Sequence, residues 1–75
     1  MSAAAVAEIV GSVWKVLVAE GEVVEAGQQV AILESMKMEI PVVAPVAGRV
    51  TALAAQPGQI VQEGDPVVHL DPQLP

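Results

Sequence analysis

This sequence predicts an all-β domain built from two related halves. Three observations carry the prediction. Residues 11–33 overlie residues 48–70 without a gap at a constant offset of 37, placing Gly11 on Gly48, Val13 on Val50, Gly21 on Gly58, Val24 on Val61, Gly27 on Gly64, Val30 on Val67 and Leu33 on Leu70. The chain is 53% hydrophobic but only 1% aromatic, so its core is built from Val, Ile, Leu and Ala. Valine favours strands, because β-branched side chains fit a pleated surface. Turn residues recur every few positions, which keeps the strands short. The repeat implies halves related by a pseudo-twofold axis. Lys37 falls in the connector between them and is expected at or near that axis.

The elements follow in order. Residues 1–7 read as a flexible tail. Residues 8–10 begin the first strand, Gly11-Ser12 breaks it, and residues 13–18 form the second. Residues 19–22 turn, Val23-Val24 is briefly extended, and Ala26-Gly27 turns again. Residues 29–33 lead into the lysine segment and residues 38–43 lead out. Ala44-Pro45 is a bend, because proline biases its predecessor away from the helical region. Residues 46–55 repeat the early strands. Pro57-Gly58 has the residues of a type II turn. Residues 60–61 and 66–70 complete the second half, and residues 71–75, with two prolines, read as a tail. The domain is therefore expected to span residues 8–70. No segment offers a capped amphipathic helix.

At 75 residues this is one small domain. It has no cysteine, hence no disulfide or thiolate metal site. Its net charge is −6, with Lys15, Lys37 and Arg49 its only basic residues. Phosphate-backbone binding needs clustered cations, so nucleic acid is excluded as a partner, and an anionic membrane surface is disfavoured for the same reason. Residues 1–7 lack a basic start and are interrupted by Glu8, unlike a signal peptide. The absence of cysteine fits a cytoplasmic location.

The chemistry concentrates in residues 34–40, Glu-Ser-Met-Lys-Met-Glu-Ile. Read as a hairpin, the segment has Met36-Lys37 as its two central residues. Ser35 then faces Met38, Glu34 faces Glu39, and Leu33 faces Ile40. Leu33 and Ile40 hold the register, and the acidic pair is expected in solvent. Two-residue hairpin loops need positive φ and favour Asn-Gly or Asp-Gly. Met-Lys is a poor turn, and local rules tend to be broken at functional sites. A lysine at such a tip presents a reactive amine on a long stem.

Ser35-Met36-Lys37-Met38 resembles the attachment motif of biotinyl domains, the biotin carboxyl carrier family, in which a lysine lies between two methionines. Glu34 and Glu39 match the usual surroundings. Residues 21–27 and 58–64 resemble the family's repeated turns, and the likeness runs from about Glu8 to Leu70. The resemblance implies a flattened β-barrel (a barrel-sandwich hybrid) of two four-stranded antiparallel sheets, with the termini opposite the lysine hairpin. It implies biotin in amide linkage to Lys37, attached by a biotin protein ligase and surrounded by Glu34, Ser35, Met36 and Met38. It further implies a non-catalytic, monomeric carrier serving a biotin carboxylase and a carboxyltransferase whose acceptor is an acyl-CoA or an oxo acid. Residues 24–29 are too compact for the protruding loop of some bacterial carriers, so the domain is similar to the thumbless type. A lipoyl carrier is the alternative, although lipoyl domains usually place Asp-Lys-Ala at the tip. An unmodified interaction module on the same barrel is the third reading. The sequence leaves open a free-standing carrier or a domain of a larger enzyme.

Other residues read as structural. Trp14 is expected to be a half-buried packing residue. His69 aligns with Ile32 and has no partner for a metal site. Glu20, Glu22 and Glu25 read as solvated surface. Ser12, Ser35 and Thr51 have no evident base to activate them.

Overall fold

The computed structural model describes residues 2–72. It contains eight strands: β1 (Ala3–Val6), β2 (Gly11–Val16), β3 (Val23–Val24), β4 (Gln29–Ser35), β5 (Met38–Val43), β6 (Gly48–Leu53), β7 (Ile60–Val61) and β8 (Pro66–Asp71). Among the described residues there is no helix, and so none long and apolar enough to cross a membrane. The strands form two antiparallel sheets, ordered β1-β8-β6-β3 and β5-β4-β2-β7. Together they make the expected flattened barrel-sandwich.

The offset of 37 exchanges the two sheets strand for strand, with β2 on β6, β3 on β7, β4 on β8 and β1 on β5. Core packing follows the same symmetry. The sixteen buried hydrophobic residues fall into eight pairs: Ala5/Val42, Ala7/Ala44, Val13/Val50, Val18/Ala55, Val24/Val61, Val30/Val67, Ala31/Val68 and Leu33/Leu70. The turns repeat as well. Gly21 and Gly58 have φ of 89° and 90°, and each turn closes with an N–H to carbonyl bond, Glu22 to Ala19 at 3.1 Å and Gln59 to Gln56 at 3.0 Å. These are the glycine-bearing turns that Pro57-Gly58 announced. In each, the fourth residue also reaches back: Glu22 Oε1 accepts from the Ala19 N–H and Gln59 Oε1 from the Gln56 N–H, both at 3.2 Å. Glu22 is therefore a turn brace rather than simple surface.

Several expectations need correction. Residues 3–6 are not a tail. β1 pairs with β8, Ala3 opposite Leu70, and Ala5 and Ala7 are 1% exposed. The segment hides its nature because alanine has low strand preference; it fits here because a small side chain suits the thin space between the sheets. The strand expected at 8–10 is instead a bend, in which the chain crosses from one sheet to the other with Ile9 and Val10 partly exposed. Backbone bonds between Ala7 and the turn at 62–65 secure that crossing, from the Ala7 N–H to Asp65 O at 2.9 Å and from the Gly64 N–H to Ala7 O at 2.8 Å. The second strand accordingly starts at Gly11, not Val13. At the other end, Asp71 closes β8, while residues 73–75 of the expected tail and Met1 lie outside the described residues.

Lys37 is also not on the pseudo-twofold axis. Its hairpin holds the pair Leu33–Ile40, whose symmetry mate is the pair Leu70–Ala3 at the chain termini. Residues 23–28 bridge that terminal end, where Val24 pairs with Gly48, to the base of the hairpin, where the Gly27 N–H reaches Ala44 O at 2.8 Å. The hairpin therefore points away from the termini, in a molecule 40 Å long and 16–17 Å across.

Two outcomes follow. Deleting residues 2–7 is expected to lower unfolding stability by about 3 kcal/mol or more, at roughly 1 kcal/mol per lost backbone bond; urea titration yielding an unchanged midpoint would restore the tail reading. Leu33→Ala and Leu70→Ala are expected to cost about 2–5 kcal/mol each, and to match within about 1 kcal/mol as symmetry mates. Thermal melts of both variants check this.

Candidate functional site: the lysine hairpin

β4 and β5 form the longest paired ribbon of the fold, running Ile32–Pro41, Leu33–Ile40, Glu34–Glu39 and Ser35–Met38, the register expected from the sequence. Leu33 is fully buried and fixes which face of the ribbon meets the core. Pro41 is accommodated because β5 is an edge strand, where a missing N–H costs no ladder bond on the open side.

Gly11 supports the ribbon from β2. A Cβ at this position would stand 2.9 Å from Glu34 O and 3.4 Å from the Ser35 Cβ. Only glycine lets the β2 backbone lie this close to the base of the hairpin. The sequence pointed to Gly11 as a strand breaker; its match to Gly48, which meets Asp71 O in the same way, was the signal for close approach.

The two central residues have positive φ, 52° at Met36 and 65° at Lys37. That is the signature of a type I′ turn, here built from two residues that resist it. Each left-handed non-glycine residue costs on the order of 1 kcal/mol. Nothing in packing offsets this cost. Met36 is 90% exposed and Met38 63%, so neither fills the core. Lys37 is exposed at the apex, with Glu34 and Glu39 exposed below it and Ser35 partly shielded. The five residues singled out from the sequence thus form one continuous tip.

The tip suits a covalently held group. Its amine stands at the end of the β4–β5 ribbon, exposed among the described residues. Lys15, the only other lysine, is held differently. It follows Trp14, the extra residue of a bulge between Val13–Leu33 and Lys15–Ile32, and its Nζ lies 4.4 Å from the centre of the Trp14 ring. That interaction keeps the Lys15 amine against the sheet face. Residues 25–28 make a single tight turn, closed by the Gln28 N–H to Glu25 O at 3.0 Å, so no loop protrudes from that connection.

Comparisons with known proteins converge on this tip-bearing barrel. The sequence model of a family described as "Biotin-requiring enzyme" matches residues 1–70. The chain is 49% identical over 63 residues to a biotin/lipoyl attachment protein of Bacillus subtilis, covering 84% of this chain and 86% of that one. It is 52% identical over 59 residues to the biotin carboxyl carrier protein of acetyl-CoA carboxylase of Solanum lycopersicum, covering 79% and 84%. The solved structure of a single-chain, multi-domain long-chain acyl-CoA carboxylase superposes with a TM-score of 0.86 at 36% identity, covering 96% of this chain but 7% of that one.

The turn geometry makes a prediction independent of these likenesses. Met36→Asn is expected to raise unfolding stability by up to about 1 kcal/mol, because asparagine tolerates positive φ and the methionine it replaces packs against nothing. Urea denaturation checks it, and a destabilised variant would mean Met36 has a structural role. A repeat-built barrel that keeps a strained Met-Lys tip, matched along residues 1–70 by the family's own pattern, belongs to the biotin-requiring enzyme family.

Proposed function

We propose that this chain is a monomeric, cytoplasmic carrier domain of biotin-dependent carboxylation, holding biotin in amide linkage at Lys37 Nζ. The observation that carries the reading is the strained, fully presented tip: Met36 and Lys37 both at positive φ, between side chains that serve no packing purpose. A biotin protein ligase supplies the acyl group as an adenylate. The neutral Lys37 amine attacks the acyl carbon, AMP leaves, and the amine's proton passes to solvent. Once attached, biotin supplies a ureido nitrogen that carries a carboxyl group between a biotin carboxylase and a carboxyltransferase.

The chain's own residues supply position rather than catalysis. The β4–β5 ribbon holds Lys37 clear of the barrel, so that the amine reaches into an enzyme's active site while the barrel stays outside. Met36 and Met38 offer flexible apolar contacts to the enzymes that receive the tip. Ser35 and Glu34 shape the polar base. Tethering makes each transfer intramolecular, at the millimolar effective concentrations typical of short linkers. The acceptor, an acyl-CoA or an oxo acid, is chosen by the carboxyltransferase. Relatives of both kinds support a carrier role: small proteins that this chain nearly spans, and a carboxylase of which it matches 7%.

The lipoyl reading has one supporting observation, the joint biotin/lipoyl description of the Bacillus subtilis relative. Intact-mass measurement after incubation with a biotin protein ligase, biotin and ATP separates the readings. One biotinyl adduct is expected, absent from Lys37→Ala. A lipoyl adduct alone, from the corresponding lipoyl ligase, would overturn the biotin assignment. An adduct surviving in Lys37→Ala would move the site to Lys15.

A further inference from the structure

The pseudo-twofold allows a comparison the sequence alone does not. Positions related by the offset of 37 face equal structural demands, and in the core they carry like residues, as the eight buried pairs attest. The outer faces of the two sheets do not match. On the β5-β4-β2-β7 sheet, Trp14, Lys15, Ile32 and Pro41 occupy positions held by Thr51, Ala52, His69 and Ala4 on the other. Thr51 sits at the equivalent bulge of β6, so the fold does not require an aromatic there. Trp14 is nevertheless the only aromatic residue, it stands 42% exposed, and it lies outside the core.

These residues adjoin a groove. Ile32 and Pro41, paired across β4 and β5, floor a depression of about 190 Å³ bounded by Glu39 and Gln29. Lys15 pairs with Ile32 on the opposite side, bringing Trp14 with it. The face therefore presents two apolar side chains, Ile32 and Pro41, among polar groups: Gln29 and the Glu39 carboxylate at the groove itself, and the Lys15 ammonium on the next strand. A fused ring bearing a ureido group has the complementary chemistry: an apolar body, two N–H donors and one carbonyl acceptor.

Reach is sufficient. The Ile32–Pro41 rung lies three rungs below the Ser35–Met38 rung, about 10 Å along the ribbon. A lysine side chain lengthened by a valeryl chain extends about 14 Å before the ring begins, from ordinary bond lengths. The groove is on the ribbon that bears Lys37, so the arm folds back without crossing another element.

We propose that the outer face of the hairpin sheet, floored by Ile32 and Pro41 and flanked by Trp14, Lys15 and Glu39, is a resting seat for the biotin ring of the domain's own Lys37. This rests on the carrier reading above. The seat is shallow and its occupancy partial, which suits a group that must leave to react. An enzyme receiving the tip competes with the seat for the ring.

Trp14 is the sole fluorophore of its kind and reports directly. The test compares acrylamide quenching of Trp14 in the unmodified, the Lys37-acetylated and the Lys37-biotinylated domain. Acrylamide is neutral and therefore blind to the loss of the lysine charge. Biotinylation is expected to lower the quenching constant by about one-third to one-half, the result of partial occupancy at the millimolar effective concentration of a short tether. Acetylation is expected to leave it unchanged. The protection is expected to fall away in biotinylated Ile32→Thr, which keeps a strand former but loses apolar surface, and in biotinylated Glu39→Lys, an exposed change that also removes the facing acidic pair. Equal quenching with and without biotin would overturn the seat, as would equal protection by acetylation, or protection undiminished in both variants. Intact mass is recorded on every sample. Failure to form any adduct overturns the carrier reading and the seat together, whereas an adduct without Trp14 protection overturns the seat alone.

Discussion

A core of valine, alanine and leucine alone forces the two sheets close together, and the rest of the molecule depends on that closeness. With Trp14 outside, the core has no large side chain to prop the layers apart. The chain crosses between the layers at two matched turns, and backbone bonds tie each turn to the sheet it enters: Gly21 N–H to Val50 O at 2.8 Å, Gly58 N–H to Val13 O at 2.7 Å, and the reciprocal bonds from Val50 and Val13 to Glu22 O and Gln59 O at 2.8 Å. The glycines at 11 and 48 act within each sheet, since a methyl group at either would press on the backbone of the neighbouring strand. Small residues in the core and tight backbone contacts at the seams are two aspects of one packing solution.

Much of this was legible in the sequence because the duplication repeats its own signals. Strong strand formers and turn glycines at matched positions located six of the eight strands, and the Leu33–Ile40 pair gave the hairpin register. What escaped was carried by residues with weak local preference. Ala3–Val6 is a strand only because β8 is there to receive it. The repeat was visible from residue 11 onward, but the structural unit begins one strand earlier. A duplication whose first strand is poor in signal thus appears shorter than it is. Lys37 was misplaced for a geometric reason: the midpoint of the sequence is not the midpoint of the fold, since the chain leaves the centre to form the hairpin and then returns.

The hairpin that presents Lys37, with its register, was legible from residue type and spacing. Met36, Lys37 and Met38 conflict with the turn they make, and that conflict is visible without coordinates. Their exposure was not. Methionine beside a strand is more often buried, and only the structure separates a methionine at 90% exposure from one filling a gap. Trp14 is half-buried, as its residue type suggested, but its packing partner is the Lys15 side chain on the outer face rather than the core. A bulge with no counterpart in the sequence pattern turns two successive residues, Trp14 and Lys15, to the same outer face.

The symmetry of the molecule supplies an internal control for its own hairpin. At one end, strands β4 and β5 are joined through Met36 and Lys37. At the other, the equivalent strands β8 and β1 lie side by side, Leu70 against Ala3, although the chain does not connect them there. The same strand pairing therefore forms with and without a covalent loop. The barrel does not depend on the turn to bring its strands together, and the two turn residues are released from the selection that governs loops elsewhere. A segment the architecture can do without is one in which side chains are free to be chosen for what happens beyond the surface of the protein.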